Sequence, residues 1–332
     1  MQATAHIPVT ILAGYLGAGK TTLLNHILRH AAGRRIAVLV NDFGSINIDA
    51  GLVDSRGDGV VEFANGCICC SISGGFAEAL AALAARRPAP EQVVIEASGV
   101  SDPVKVGYFA AMPPFRLDGA VVLVDAETVR DRAVDRYVGG TVLRQLRGAD
   151  LVVVNKTDLV SEGVLAALCR WLGEQAPQAR LVTSRFGQVP VGILVGLHDP
   201  AGDEASGEVV AADRGHAPHE HADPVHDREY ASSSLTLDEP VDEAAFRAAV
   251  AAWPPSVLRA KGFVHLRQAP GQRHLFQLVG RRWTLEPDRP WGGERPRTRL
   301  VAIGPAATFD GAALWRPLAG QPPSPPTEGD KT

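Results

Sequence analysis

Short apolar runs alternate with amphipathic stretches through the first part of the chain. Val9 to Ala13 is apolar and ends at Gly14. Thr21 to His30 follows, with Leu23, Leu24, Ile27 and Leu28 at helical spacing, which predicts a helix. Ile36 to Val40 reads as a second buried strand and Val60 to Phe63 as a third, while the Ala- and Leu-rich stretch Phe76 to Arg87 predicts another helix. Val93 to Ile95, Ala120 to Val124 and Leu151 to Val154 are continuous runs rich in β-branched residues. Such runs lack the polar alternation of a half-exposed strand and suit strands covered on both faces of a mostly parallel sheet. Leu181 to Val182 adds one more at the end. Strands alternating with helices predict an α/β doubly wound fold.

The pattern changes after His198. Asp199 to Arg228 is rich in Gly, Ala, Asp, Glu and His with almost no large apolar side chain, and reads as a flexible linker. Beyond it Ser234 to Leu237 predicts a strand, Val241 to Trp253 a helix, and Gly262 to Arg267, His274 to Leu278, Arg282 to Leu285 and Arg299 to Ile303 further strands. That is a small α+β domain with a mainly antiparallel sheet. The expected organisation is a domain over 1–198, a linker over 199–229, a second domain over 230–318 and a disordered Pro-, Ser- and charge-rich tail over 319–332.

Composition narrows the partners. The 332 residues are 45% hydrophobic and 21% charged, with net charge −4. A nucleic-acid binder would carry a basic excess. No apolar stretch reaches the roughly 20 residues that span a bilayer, and Met1 to Pro8 lacks a signal-peptide pattern. The expectation is a cytosolic protein with neither nucleic-acid nor membrane partner. Thiols stay reduced there, so the four cysteines are expected to bind metal, act chemically or lie buried rather than pair as disulfides.

Gly14-Tyr15-Leu16-Gly17-Ala18-Gly19-Lys20-Thr21 is a glycine, four residues, then Gly-Lys-Thr, placed after a predicted strand and opening a predicted helix. Its glycines let successive N–H groups turn toward phosphate oxygens, and the helix N-terminus adds a favourable dipole. Gly14, Gly17, Ala18, Gly19, Lys20, Thr21 and Thr22 are the expected phosphate contacts, with Lys20 reaching the β- and γ-phosphates and the Thr21 hydroxyl holding Mg²⁺.

Asn155-Lys156-Thr157-Asp158 directly follows a predicted strand. Guanine presents N1–H and a 2-amino group side by side, and one carboxylate, Asp158, can accept both. Adenine has no such pair, so GTP is favoured over ATP. Asn155 and Lys156 are expected to brace the base and the phosphate loop. Glu96 ends another strand and is followed by Ala97-Ser98-Gly99. It is a candidate to hold Mg²⁺ through water or to orient the attacking water, with Gly99 offering its N–H to the γ-phosphate as a switch hinge. Asn41-Asp42-Phe43-Gly44 is the expected first switch, Asp42 touching Mg²⁺ or water. Asp125 is a second acid for the neighbourhood of Glu96. For Asp42 and Asp125 an ordinary strand-end turn explains the residue equally well. The candidate catalytic set is Lys20, Glu96 and Asp42.

Cys67-Ile68-Cys69-Cys70 supplies three thiolates, soft ligands that select Zn²⁺, Cu(I) and related ions. Cys67 and Cys69 can face one side of an extended loop, Cys70 adds a third ligand, and a fourth position stays open. The helix expected from Phe76 favours the thiolate form. Cys169 stands alone on a helix and reads as core. His216, His219, His221 and His226 crowd the linker, where they either hold metal loosely or merely enrich a polar segment. His265 and His274 lie on predicted strands and read as structural.

The chain resembles the CobW-type GTPases, which are similar to the nickel-inserting GTPases of urease and hydrogenase maturation. The resemblance runs nearly the whole length. It is carried by Gly14 to Thr21, Asn41 to Gly44, Gly66 to Cys70, Glu96 to Gly99 with Asp102-Pro103, and Asn155 to Asp158. In the second domain Arg259-Ala260-Lys261-Gly262 and Arg289-Pro290-Trp291-Gly292 continue it. The resemblance implies a P-loop fold, slow GTP hydrolysis with Mg²⁺, and Zn²⁺ or Co²⁺ on the three cysteines. It also implies delivery of that metal to a client protein. Asp42 stands where many members carry Glu, and Ser45 and Val40 where some carry further acids, so auxiliary acidic sites are in doubt. Competing expectations are a cobalt-handling role linked to cobalamin synthesis, a metal buffer or scaffold without gated transfer, and an ATP-dependent kinase, against which Asp158 argues. Self-association is left open.

Overall fold

The computed structural model describes residues 6–31, 34–40, 75–196 and 229–320. They divide into two compact units, one built chiefly on residues 6–196 and the other on 229–320.

In the first unit β1 (Ile7–Gly14) runs into the phosphate loop and α1 (Lys20–Arg29). Then come β2 (Ile36–Val40), α2 (Gly75–Ala85), β3 (Gln92–Glu96), α3 (Pro103–Ala110), β4 (Phe115–Asp125), α4 (Val129–Val134) and α5 (Gly139–Arg147). β5 (Leu151–Asn155), a 3-10 turn at Thr157–Leu159, α6 (Glu162–Gln175), β6 (Arg180–Thr183) and α7 (Val191–Val195) complete it. The six strands lie in the order β2-β3-β1-β4-β5-β6, every pair parallel. Every residue of β2, β3 and β5 is buried, as their unbroken apolar runs require. Val9, Ile11 and Ala13 of β1 join a core with Leu83 of α2, Val106 of α3, Leu146 of α5 and Leu172 of α6. Leu12, between them and equally buried, points to the other face. α1 packs on β1 and β3 and buries Leu23, Leu24 and Ile27, each contributing roughly 1.5–3 kcal/mol by removal from water.

The second unit contains β7 (Tyr230–Leu237), α8 (Glu243–Ala251), β8 (Arg259–His265), β9 (Gln272–Val279), β10 (Arg282–Pro290), β11 (Thr298–Pro305) and α9 (Gly311–Trp315). Its five strands follow the order β10-β9-β8-β11-β7, with β11 antiparallel to both neighbours. The core is aromatic. Phe246 and Phe276 meet edge to face at 5.1 Å, and Trp253 stands edge-on to Phe276 at 5.7 Å and to Trp315 at 5.5 Å. His265 and His274 are buried on β8 and β9, and the His265 ring packs against Trp291. α8 is shorter than the expected Val241 to Trp253 at both ends; the Asp242 side chain accepts the Ala245 N–H as its N-cap, so the helix starts two residues later than expected.

Candidate nucleotide site

The connection from β1 runs to one side of the sheet, to β2, and that from β3 runs to the other, to β4. A crevice therefore opens where β1 and β3 lie together, beyond their C-terminal ends. Gly14 and Glu96 end these two strands, and Asp125 and Asn155, paired in register, end β4 and β5. Four of the residues singled out from sequence thus lie along one rim.

The phosphate loop is shaped at Gly19, which sits at φ 103 as the N-cap of α1. A Cβ there would lie 2.5 Å from Nδ2 of Asn155, so this position excludes any side chain. α3, α6 and α8 are capped by Asp102, Ser161 and Asp242, whereas the first turn of α1 has neither a side-chain cap nor an acid. Its N-terminus is left for an anion. The buried Lys20 ammonium donates to the Gly14 carbonyl at 3.0 Å, which holds it at the mouth of the loop. The Thr21 hydroxyl donates to Oε1 of Glu96 at 3.0 Å, and Glu96 is only 3% exposed. A hydroxyl and a carboxylate in contact at the start of a phosphate-binding helix are hard oxygen donors. That donor set fits Mg²⁺, which binds one or two protein oxygens and keeps several waters. Thr22 is exposed on the same turn.

The tetrad Asn155 to Asp158 is tied to this loop. Asn155, 2% exposed, donates through Nδ2 to the Ala18 carbonyl at 2.9 Å and accepts the Gly187 N–H on Oδ1 at 3.0 Å. Thr157 donates through both its N–H and its hydroxyl to the Ser184 carbonyl. These bonds hang a third loop, Ser184-Arg185-Phe186-Gly187, beside the tetrad. Its signal in the sequence is an aromatic before a glycine just after the edge strand. Phe186 is 68% exposed and sits at φ 53, a conformation that bulky residues rarely hold. Asp158 is exposed on the 3-10 turn, its carboxylate toward solvent.

Asp125 departs from expectation. It was a candidate for the neighbourhood of Glu96, but β1 lies between their strands. Its Oδ2 accepts Lys156 at 2.7 Å and its Oδ1 the Glu127 N–H at 3.0 Å. Asp125 is thus the brace for Lys156, which itself holds a left-handed φ of 61. Burial pushes the Asp125 carboxyl up, but the Lys156 ammonium and the Glu127 N–H together bring it below the usual value. A folded-state value below the unfolded one adds stability that is present above the unfolded value and lost as pH falls through the folded one. The difference in urea midpoint between wild type and Asp125→Asn is therefore expected to be full at neutral pH and to shrink below about pH 4, near the unperturbed Asp value. A constant difference down to pH 3 would remove the ion pair as its cause.

Arg132 of α4 is another residue the sequence did not announce. Its guanidinium donates to the Leu16 carbonyl and lies over the Tyr15 ring at 5.0 Å, so α4 grips the phosphate loop from the side. Asp42, Cys67, Cys69, Cys70, His216, His219, His221 and His226 lie outside the described residues. Among the described residues no group of three or more His, Cys, Asp or Glu is placed to hold a metal, and no helix is long and apolar enough to cross a membrane. Cys169 is half-buried on α6, and burial pushes its thiol up, away from the thiolate form.

Comparison with known proteins agrees with this layout. Residues 8–183 match the family described as CobW/HypB/UreG, nucleotide-binding domain, and residues 230–320 match the cobalamin synthesis protein cobW C-terminal domain. The zinc chaperone CobW of Pseudomonas aeruginosa is 35% identical over 96% of this chain and 92% of its own length. The zinc chaperone YjiA of Escherichia coli is 32% identical over 90% of this chain and 94% of its own. A zinc-regulated GTPase metalloprotein activator of Dictyostelium discoideum is 30% identical over 56% of this chain and 47% of its own length. With a parallel sheet carrying the phosphate loop, an antiparallel second unit and matches across both, the chain belongs to the CobW family.

Proposed function

We propose that the chain is a GTP-hydrolysing metallochaperone of the cytosol that carries a divalent metal, zinc first, to a client protein. The observation that carries this reading is the bonding of Asn155 to Ala18, which makes base recognition and phosphate binding one assembly. In this reading Asp158 selects guanine, Lys20 neutralises the β- and γ-phosphates, and Gly99 donates its N–H to the γ-phosphate. Thr21 and Glu96 hold Mg²⁺, which when bound neutralises charge developing on the phosphate oxygens. Asp42 and Glu96 orient the attacking water. Cys67, Cys69 and Cys70 hold the cargo, and residues 230–318 form a second domain beyond a linker whose histidines are accessory ligands. Relatives named as zinc chaperones support zinc, and a relative named as a metalloprotein activator supports a client. The cobalamin-synthesis description of the C-terminal family favours cobalt as the second cargo.

The test is Zn²⁺ affinity of the reduced protein with Mg²⁺ and either a non-hydrolysable GTP analogue or GDP, in competition with a chromophoric chelator. Tighter binding in the GTP form is expected, lost when the three cysteines become Ser. Linkage requires zinc to tighten GTP binding by the same factor. Equal zinc affinity in both nucleotide states would leave a metal buffer and end the gated reading.

A further inference from the structure

We infer that Gln145, on α5, is a positioning residue for the γ-phosphate that acts through Gly99; the inference rests on the nucleotide reading above. Gln145 is 2% exposed and 46 residues from Gly99 in sequence. Its Nε2 donates to the Gly99 carbonyl at 3.1 Å and to the Ser101 carbonyl at 2.9 Å. Both partners are carbonyls, so the amide orientation is fixed: turning it over would set an oxygen against two oxygens.

The surrounding bonds show what this accomplishes. The Ala97 N–H donates to the Leu12 carbonyl at 2.9 Å, tying the segment to β1. The Ser101 N–H donates to the Ser98 carbonyl at 2.9 Å and closes a tight turn, which the Ser98 and Ser101 hydroxyls bridge at 2.8 Å. Asp102 then accepts the Val104 N–H at 2.9 Å and starts α3. The Ser98 carbonyl and the Gly99 N–H belong to one planar peptide, so fixing the first fixes the direction of the second. The Gly99 carbonyl, held by Gln145, fixes the next peptide in the same way. A Cβ on Gly99 would lie 2.5 Å from Cδ2 and 3.0 Å from the backbone nitrogen of Leu16, so the turn abuts the phosphate loop itself. Gly99, the expected switch hinge, lies in this turn. The Ser101 N–H fixes the Ser98–Gly99 peptide, and Gln145, holding the Gly99 and Ser101 carbonyls, keeps the turn closed around it. Through the turn Gln145 thus keeps the Gly99 N–H set in advance of the γ-phosphate, which is how a donor stabilises charge without reorganising at the moment of reaction.

GDP has no γ-phosphate, so the effect divides the two nucleotides. Gln145→Met keeps length and volume and removes both donors. It is expected to leave Mg-GDP affinity within about twofold of wild type and to weaken a non-hydrolysable GTP analogue by about tenfold, the worth of one ordinary hydrogen bond. kcat for GTP should fall by at least as much while the KM change stays smaller. Ser98→Ala and Ser101→Ala, which remove only the hydroxyl bridge, carry the same prediction in weaker form should Gln145→Met not fold. Equal losses for the di- and triphosphate would reduce Gln145 to a structural residue and overturn the inference, as would no change in either. A wild type that prefers adenine nucleotides would overturn the guanine reading alone, and the diphosphate-to-triphosphate ratio would still decide Gln145. A wild type that binds neither overturns both.

Discussion

Lys20→Ala is expected to lower GTP turnover by about two to three orders of magnitude, the usual cost of removing one preorganised group that meets developing charge. The reason lies in how the cations among the described residues of the site are committed. Lys20 is buried with its ammonium on the Gly14 carbonyl, inside the loop that would wrap the phosphates. Lys156 is committed to Asp125, and the Arg132 guanidinium to the Leu16 carbonyl. Neither can take the place of Lys20 without giving up a bond that shapes the site. Lys20→Arg should rescue little, because a planar guanidinium cannot replace a compact ammonium in a closed loop. Zinc binding, proposed for Cys67, Cys69 and Cys70, should change by less than about twofold in the absence of nucleotide, since a lysine ammonium has no lone pair to offer a metal. Single-turnover hydrolysis at saturating nucleotide, with chelator competition for zinc, measures both. Turnover within threefold of wild type would remove Lys20 from the mechanism.

The second large effect is a change of base. Asp158→Asn should weaken GTP by about a hundredfold or more, since each hydrogen bond to a charged group contributes roughly 1.5–3 kcal/mol and two are lost or reversed. Xanthosine triphosphate should become the better ligand, because its 2-position accepts where guanine donates. The change should leave stability alone. Asp158 is exposed, and the backbone beside it is held by Thr157 and Ser184, not by its own side chain. Direct titration of both nucleotides on both proteins decides it, and unaltered GTP binding by the variant would mean that Asp158 does not read the base.

The parts legible in the sequence share a physical cause. β2, β3 and β5 are strands whose every residue is buried, so they appear as unbroken apolar runs. The phosphate loop is legible because its geometry needs glycines at fixed places. What escaped was placed by tertiary contact. β4 begins at Phe115, ahead of the expected Ala120: Arg116, Asp118 and Gly119 interrupt its apolar pattern, yet Phe115 to Leu123 pairs with β1 across a register shift between Val9 and Thr10. α4 is short and charged, and α5 opens on Gly139 and Gly140 and carries only a short apolar stripe at Val142 and Leu146, yet they deliver Arg132 and Gln145 to the site. β7 and β10 were expected at Ser234 to Leu237 and Arg282 to Leu285 and are longer: serines hide the start of β7, and Pro287 and Pro290, which an edge strand tolerates, hide the end of β10. Asp125 was left open between two roles because a strand-end acid looks alike in sequence whether it meets a metal or a lysine.

The aromatic core of the second unit has a spectroscopic consequence. Of the five tryptophans, Trp253, Trp283, Trp291 and Trp315 belong to that unit, and only Trp171, on α6, belongs to the first. Intrinsic emission is therefore dominated by the half of the protein that carries no nucleotide motif. A Trp171→Phe variant would make it a pure reporter of that half. Any emission change on adding nucleotide would then be a signal sent from one unit and received in the other, read without attaching a dye.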